Sequence, residues 1–272
     1  MQMNVTTSVP QMSTASKVRR WLLVIFPALL ILTFLLLPWP LMEKLRTIGR
    51  AVCMLRPSHS YFLAGEQLPL EARTMGIYAG FLIALAYLLL IGRRRATRLP
   101  PKLLTVILVG FVAVMGFDGL NSTAYDMGWP YLYAPSNPVR LLTGLLTGVA
   151  VAPFILVVVN ASLWQEDQPR PVLGSLKELL GILVVEVIFF LAVASGIPWL
   201  LYPVSFITAG GVVVSFLAIT LAIVVDVSRS RNKISNGWDL LFPLNVALLL
   251  TIAELGLLLA YKTWIHQCPL QG

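Results

Sequence analysis

Long apolar stretches separated by short polar segments dominate the chain. The first extends from Trp21 to Leu37, and six more follow at 76–92, 103–118, 141–160, 179–201, 203–227 and 241–261. Their lengths, about 16 to 25 residues, match the roughly 20 residues with which a helix crosses the hydrocarbon core. Since backbone groups in lipid must bond to each other, such runs form helices. The pattern predicts an all-α polytopic membrane protein with about seven transmembrane helices.

The polar segments divide the chain further. Residues 1–20 form a predicted disordered, basic N-terminal tail; 21–160 form a four-span region and 161–272 a three-span region. Pro198 and Pro203 predict a tight turn between the fifth and sixth runs. Whether that turn reaches the membrane surface decides the number of spans.

The segment after the first run is itself helical in pattern. Apolar residues recur at helical spacing, at Leu41, Leu45, Ile48, Val52 and Leu55, with basic residues between them. One interpretation is a helix that lies flat in the headgroup layer. The other is a connecting helix packed on the bundle.

Composition supports the membrane assignment. The chain is 58% hydrophobic and 12% charged, against roughly 45–50% and about 25% in soluble domains. Its net charge of +8 lies between the apolar runs, so we assign it to topology and lipid headgroups and not to nucleic acid.

The distribution of Lys and Arg predicts orientation. With seven spans, thirteen of the 20 basic residues fall on one face, the face of the N-terminus. The positive-inside rule places that face in the cytoplasm. We therefore expect a multi-pass protein of the cell membrane, with the N-terminus cytoplasmic.

Two acids lie within predicted spans, Glu186 and Glu254. Intramembrane acids are rare and often functional. The two differ in depth by roughly 8 Å at 1.5 Å per residue, so we do not expect a paired-carboxylate site. The alternative for each is a protonated carboxyl that bonds to a neighbouring helix.

A second polar group collects at the outer ends of the spans. Arg73 precedes the second span, Asp118 ends the third and Arg140 opens the fourth. Arginine presents a planar fork that suits phosphate or carboxylate. This predicts a headgroup or anion site, with a structural Asp–Arg pair as the alternative. The loop between 118 and 140 carries four aromatic residues typical of an interfacial belt, Tyr125, Trp129, Tyr131 and Tyr133.

Other candidate features indicate structure more than chemistry. Two pairs of glycines spaced by four, Gly76/Gly80 and Gly144/Gly148, favour close helix packing. Two cysteines, Cys53 and Cys268, allow one bridge if they share a side of the membrane. His59 and Cys53 are not at metal-ligand spacing. No catalytic motif stands out, and we predict no metal or cofactor.

Several short motifs resemble a known family. Residues 53–62 read Cys-Met-Leu-Arg-Pro-Ser-His-Ser-Tyr-Phe, and residues 68–80 read Leu-Pro-Leu-Glu-Ala-Arg-Thr-Met-Gly-Ile-Tyr-Ala-Gly. Asp118-Gly-Leu-Asn121 and Ser136-Asn137-Pro-Val-Arg140 follow in order. Over about residues 51–150 the chain resembles domain-of-unknown-function family 2085, predicted prokaryotic membrane proteins.

The chain departs from the family pattern where that pattern holds Cys and His. Met54 replaces a histidine, Glu71 and Thr74 replace two cysteines, and His59 replaces an arginine. The resemblance therefore implies the architecture and a polar site without naming its chemistry. The predicted ligand-binding residues are Arg73, Asp118, Asn121, Asn137 and Arg140.

Three functions fit these features. The first is binding of an anionic lipid headgroup or a small solute at the outer polar cluster, for transport or lipid binding. The second is an accessory or scaffolding subunit with a membrane-protein partner, based on the two glycine pairs. The third is an intramembrane enzyme that uses Cys53, His59 and Glu71, in which a nearby base would activate the thiolate.

Overall fold

A computed structural model describes residues 14–228, 234–235 and 237–267. Those residues form the helices α1 (Thr14–Leu36), α2 (Leu41–Val52), α3 (Ala72–Leu90), α4 (Lys102–Asp126), α5 (Asn137–Leu163), α6 (Leu176–Ala194), α7 (Leu201–Val227) and α8 (Gly237–Gln267). Six of the seven apolar runs fall almost wholly on one helix each, whereas the run 179–201 continues beyond the end of α6 through a turn to the start of α7. Cys268, which the sequence allows to bridge Cys53, and the basic residues Arg229, Arg231 and Lys233 lie outside the described residues.

Four short strands and two 3-10 turns complete the structure. Strands β1 (Ser60–Leu63) and β2 (Glu66–Glu71) form an antiparallel hairpin, and β3 (Ala96–Arg98) pairs in parallel with β4 (Gln168–Pro171). The hairpin turns at Ala64 and Gly65, whose φ angles are 52° and 77°. The sequence did not predict these strands, because each is too short for a clear alternating pattern.

The prediction of a helical polytopic membrane protein is confirmed. Among the residues that the structure describes, five helices are long and apolar enough to cross a membrane: α3, α4, α5, α7 with its preceding turn, and α8. Residues Leu23–Leu36 of α1 and helix α2 form a sixth candidate that bends by 113°. Helix α6 carries Lys177, Glu178 and Glu186 in 19 residues and is not among them. The count of seven spans and the side of the N-terminus remain predictions.

Helix α2 packs on the bundle, as one of the two interpretations has it. Met42, Leu45 and Gly49 are buried on it, against α7, α8 and β2. The sharp bend before it is fixed by Lys44, whose Nζ donates to the Leu35 carbonyl at 2.6 Å. That carbonyl lies in the last turn of α1, where no intrahelical donor remains. Helix α1 itself begins at Thr14, within the segment predicted to be a tail.

The centre of the bundle is the contact between α3 and α5. A Cβ atom on Gly144 would lie 2.3 Å from the Arg73 carbonyl oxygen, and one on Gly148 would lie 2.4 Å from the Phe81 nitrogen. On the facing helix, a Cβ on Gly76 would approach the Leu141 oxygen to 2.5 Å. The two glycine pairs therefore pack against each other, and only glycine permits this backbone approach.

The bundle has two distinct ends. The site end contains the β1–β2 hairpin, the start of α3, the end of α4 and the start of α5. The opposite end contains β3 and β4, where the Asn160 amide donates to the carbonyls of Arg93 and Ala96 at 3.0 and 2.8 Å. Helix α6 runs from the opposite end to the site end, because Glu178 in its first turn bonds Arg93 and Val193 in its last turn packs with the hairpin core.

Candidate functional site

Three separate sequence patches meet at the site end. Arg73 lies in the first turn of α3, Asp118 two turns before the end of α4 and Arg140 in the first turn of α5. Arg73 Nη2 donates to Asp118 Oδ2 at 2.6 Å and to Ser122 Oγ at 2.9 Å. Arg73 and Asp118 thus form the Asp–Arg pair that the sequence allowed as an alternative.

Asp118 is saturated by donors. It is 1% exposed, and its Oδ1 accepts from the Tyr133 hydroxyl at 2.6 Å. Thr143 Oγ1 donates to Oδ2 at 3.2 Å. Burial and the bond to Asp118 raise the pKa of Tyr133 to about 12, so the phenol keeps its proton. Asp118 therefore joins α3, α4, α5 and the loop, and it is not available to a ligand.

The two asparagines position their neighbours. Asn121 Nδ2 donates to the Tyr133 carbonyl at 2.9 Å, and its Oδ1 accepts from the Leu132 amide at 2.8 Å. Asn121 therefore holds the loop that carries Tyr133. Asn137 Nδ2 donates to the Ser60 carbonyl at 3.2 Å, and its Oδ1 accepts from Arg140 Nη1 at 3.2 Å. Asn137 thereby ties the hairpin to α5 and orients Arg140.

Arg140 differs from the other residues of the predicted site. It is 6% exposed, and among the described residues no carboxylate forms an ion pair with it and its Nε has no hydrogen-bond partner. A buried guanidinium without an anion is costly, because desolvation is not offset by an opposite charge. Arg140 is thus the arginine of the site without a direct ion pair, and the carboxylates of Asp126 and Asp118 act on its charge only at longer range.

Arg140 borders a small polar cavity of about 100 Å³. The cavity is lined by Arg56, His59, Glu71, Arg73, Thr74, Ser122, Thr123, Asp126 and Arg140. Three arginines face two carboxylates across it. Arg56 forms ion pairs with both carboxylates. Its Nε lies 3.5 Å from Glu71 Oε1, and its Nη1 lies 3.4 Å from Asp126 Oδ2. Because Arg73 is paired with Asp118, three arginines and three carboxylates balance at this cavity; among the described residues, Arg140 is the arginine of the three that has no carboxylate within 4 Å.

His59 lies between the same two carboxylates. Its Nδ1 is 3.8 Å from Glu71 Oε2, and its Nε2 is 3.6 Å from Asp126 Oδ2. Burial lowers the pKa of His59, and Arg140 and Arg56 lower it further, against the opposing effect of the two acids. The imidazole is therefore neutral in the empty cavity at neutral pH.

The positions at which the family pattern holds cysteine lie beside this cavity. Cys53 Sγ accepts from the Glu71 backbone amide at 3.4 Å, and Glu71 and Thr74 both line the cavity. Burial raises the pKa of Cys53, so the thiol stays protonated. That disfavours a reactive thiolate. Within the described parts of the chain, no group of three or more His, Cys, Asp and Glu side chains is arranged to hold a metal ion.

The two acids that the sequence places within spans, Glu186 and Glu254, lie outside this cavity, and their surroundings differ from each other. Glu254 of α8 accepts from Thr220 Oγ1 of α7 at 3.0 Å, the interhelical bond that the sequence allowed. Glu186 of α6 is buried, and among the described residues neither carboxylate oxygen has a hydrogen-bond partner.

Sequence reasoning missed several members of the site. Arg56, Asp126 and Tyr133 lie in connecting segments or at a helix end, where periodicity gives no signal. Tyr133 was interpreted as part of an aromatic belt, yet its hydroxyl is bonded to Asp118. Two further residues did carry a signal, since Ser122 follows Asp118 by four residues and Thr143 follows Arg140 by three, and such spacing places side chains on one helix face.

Fold and site together define a helical polytopic membrane protein with a polar cavity at one end of its bundle. Residues 53–154 match a family described as "Predicted membrane protein (DUF2085)", which confirms the resemblance predicted for residues 51–150. The match covers a little over a third of the chain and includes all five residues of the predicted site. Comparisons with curated proteins and with solved structures give no match.

Proposed function

We propose that the cavity at the site end binds a small oxyanion, a phosphate or carboxylate group. The observation that carries this proposal is the buried, unpaired Arg140 in its lining. An oxyanion would give Arg140 a direct anionic partner. Guanidinium groups bind such anions through charge-assisted hydrogen bonds, which are about twice as strong as neutral ones.

Arg73 would be the second donor. Its Nη2 is engaged by Asp118 and Ser122, while its Nε has no partner among the described residues. Asp118 holds this guanidinium in place, and Asn137 holds that of Arg140. Two pre-oriented guanidinium groups reduce the ordering cost of binding, which is how preorganisation raises affinity.

The size of the cavity limits the ligand. About 100 Å³ is well below the 300–1,000 Å³ of typical small-molecule pockets. A phosphate or carboxylate group is small enough for such a cavity, whereas the glycerol and acyl chains of a lipid would have to lie outside. The oxyanion is therefore either a free solute or the headgroup phosphate of a phospholipid at the end of the bundle predicted to be extracytoplasmic, in a protein that we place in the cell membrane.

The alternative of a scaffolding subunit loses its main support. It was based on the two glycine pairs as partner-binding faces. Both pairs are used inside the bundle, between α3 and α5. These two pairs are therefore not available to another membrane protein.

The proposal is tested by anion-dependent thermal stability. Purified protein in a neutral detergent is unfolded over a titration of inorganic phosphate, with Arg140→Gln as the variant and Arg98→Gln, at the opposite end, as the matched control. Binding to the folded state stabilises it by about 2.7 kcal/mol at 100 times Kd. We expect a phosphate-dependent rise in melting temperature for wild type and Arg98→Gln and none for Arg140→Gln.

A second arm separates the two sources of the oxyanion. Phospholipid-free detergent and phosphatidylglycerol-containing nanodiscs are compared, each with and without inorganic phosphate. A headgroup ligand stabilises wild type relative to Arg140→Gln in the nanodiscs even without phosphate, whereas a free solute does so only when phosphate is added. Equal responses of wild type and Arg140→Gln in every arm would contradict the proposal.

A further inference from the structure

A second cavity, of about 490 Å³, lies among the membrane-spanning helices and away from the site end. It is enclosed by α3, α5, α7 and α8. Its walls are mostly apolar, from residues such as Ile77, Val151 and Ile155. This volume is within the 300–1,000 Å³ of typical small-molecule pockets. None of the residues in the proposed oxyanion site lines it.

One charged group faces this cavity, the carboxyl of Glu254. Its Oε2 accepts from Thr220, and its Oε1 has no donor among the described residues. The described lining includes no Lys, Arg or His. A carboxylate inside the membrane needs a proton or a cation to offset its desolvation. Since no described residue of the lining supplies a cation, a cationic ligand can take the place of the proton as the partner of the Glu254 carboxyl.

The other polar groups of the lining do not favour an anion. The Ser215 hydroxyl donates to the Val212 carbonyl at 2.9 Å, and the Thr220 hydroxyl donates to Glu254. Aromatic rings complete the surroundings, contributed by Tyr78, Phe81 and Phe216. The negative face of an aromatic ring attracts organic cations, and this attraction grows when the cation is desolvated.

The cavity is open toward the lipid. Ile219 and Ile223 belong to its lining and are 47% and 55% exposed on the outer surface of α7. Both lie within a candidate membrane span. A ligand would therefore enter sideways from the hydrocarbon, which requires an apolar body as well as a charged head.

From this geometry we infer that the Glu254 cavity binds a lipophilic organic cation, such as a hydrophobic amine or quaternary ammonium compound. Its charged head pairs with Glu254 and contacts the aromatic rings, and its apolar part lies against the isoleucine and valine side chains. This inference is independent of the oxyanion site, because the two cavities share no residue.

The test uses radiolabelled tetraphenylphosphonium, a permanent lipophilic cation, and protein in phosphatidylcholine nanodiscs. We expect Glu254→Gln to weaken binding at least tenfold, because the amide keeps the size of the side chain and loses its charge. Glu186→Gln is the matched control, an acid of another helix that does not line this cavity, and it should bind as wild type does.

Two further measurements test the entrance of the cavity and the requirement for a charged ligand. Ile219→Lys places a positive charge at the lipid-facing opening, which repels a cation, and should also weaken binding. Octylamine should displace the probe far better than octanol, which has the same chain and no charge. The inference is overturned if wild type does not bind the probe, if Glu254→Gln binds it equally, or if octanol competes as well as octylamine.

Discussion

Arginine side chains have different interaction partners at the two ends of the bundle. At the opposite end, Arg93 forms an ion pair with Glu178, the Arg170 Nη2 donates to the Gly92 carbonyl at 2.6 Å and Arg95 lies 4.7 Å over the Trp164 ring. At the site end, Arg140 is buried beside Asn137 with no carboxylate paired to it among the described residues. At the more basic end, each of these three arginines has a structural partner. At the less basic end, Arg140 has no carboxylate partner.

Basic residues in a membrane protein therefore carry two kinds of information, one in their number on each face and one in the burial of individual side chains. The number of basic residues on a face predicts orientation, because it reflects insertion. A buried cation without a direct ion pair points to a ligand, because an anion bound beside it would offset the cost of desolvation. The number of basic residues can be counted in the sequence, whereas the burial of a single arginine is seen only in the folded structure.

The largest expected effect concerns the buried pair of the site end. Asp118→Asn leaves the Arg73 guanidinium without its carboxylate, and removal of one partner of a buried ion pair costs about 3–5 kcal/mol. Glu178→Gln makes the same change at the opposite end, where the pair is nearer to solvent, and should cost about 1 kcal/mol. Thermal unfolding in detergent measures both; equal losses would remove the distinction between the ends.

The next largest loss of stability is expected from disturbing the close packing of α3 against α5. Gly148→Ala forces a methyl group against the α3 backbone and should cost about 1–3 kcal/mol. Gly116→Ala is the matched control, because a Cβ on Gly116 of α4 meets nothing within 4 Å. If both variants unfold at the wild-type temperature, the close approach of α3 and α5 is not what holds the site together.

Arg140→Gln should change stability in the opposite direction from Asp118→Asn. In phosphate-free buffer the variant loses a buried charge that has no direct ion pair, so we expect a melting temperature equal to that of wild type or a few degrees higher. Arg93→Gln at the opposite end leaves Glu178 unpaired and should lower it. A large destabilisation by Arg140→Gln in the absence of anion would mean that Arg140 has a structural partner.

The smallest effect is a pH dependence through His59. Its folded-state pKa is lowered, so below about pH 6.5 the unfolded chain binds more protons and stability falls as pH falls. A bound oxyanion raises the pKa of the imidazole, so anion affinity should increase as pH falls through the same range. Sulfate, which does not titrate there, should bind several-fold more tightly at pH 6 than at pH 7.5, and His59→Gln should abolish the difference.

The sequence predicted the helices well because length and hydropathy determine them. Six of the seven apolar runs lie almost wholly on one helix each, and the spacing of Gly76, Gly80, Gly144 and Gly148 predicted close packing, although it did not show that the pairs face each other. Helix α2 was also predicted, and its packing on the bundle was one of two alternatives. The bend before it depends on Lys44 and the Leu35 carbonyl, a contact between helices that no periodicity contains.

The site was predicted in part. Arg73, Asp118 and Arg140 were brought to one end by topology, and the resemblance added Asn121 and Asn137. Their different roles arise from tertiary contacts: Asp118 is saturated by Tyr133, Thr143 and Arg73, whereas Arg140 is not. Burial of individual polar atoms cannot be read from a linear pattern, so the sequence could not say which residue would meet a ligand.

Equilibrium dialysis of radiolabelled phosphate against protein purified in neutral detergent tests the central claim most directly. The account predicts one saturable site per chain in wild type, retained in Arg98→Gln and lost in Arg140→Gln while circular dichroism shows all three proteins folded. Saturable phosphate binding of equal affinity in Arg140→Gln, or none in wild type, would contradict it.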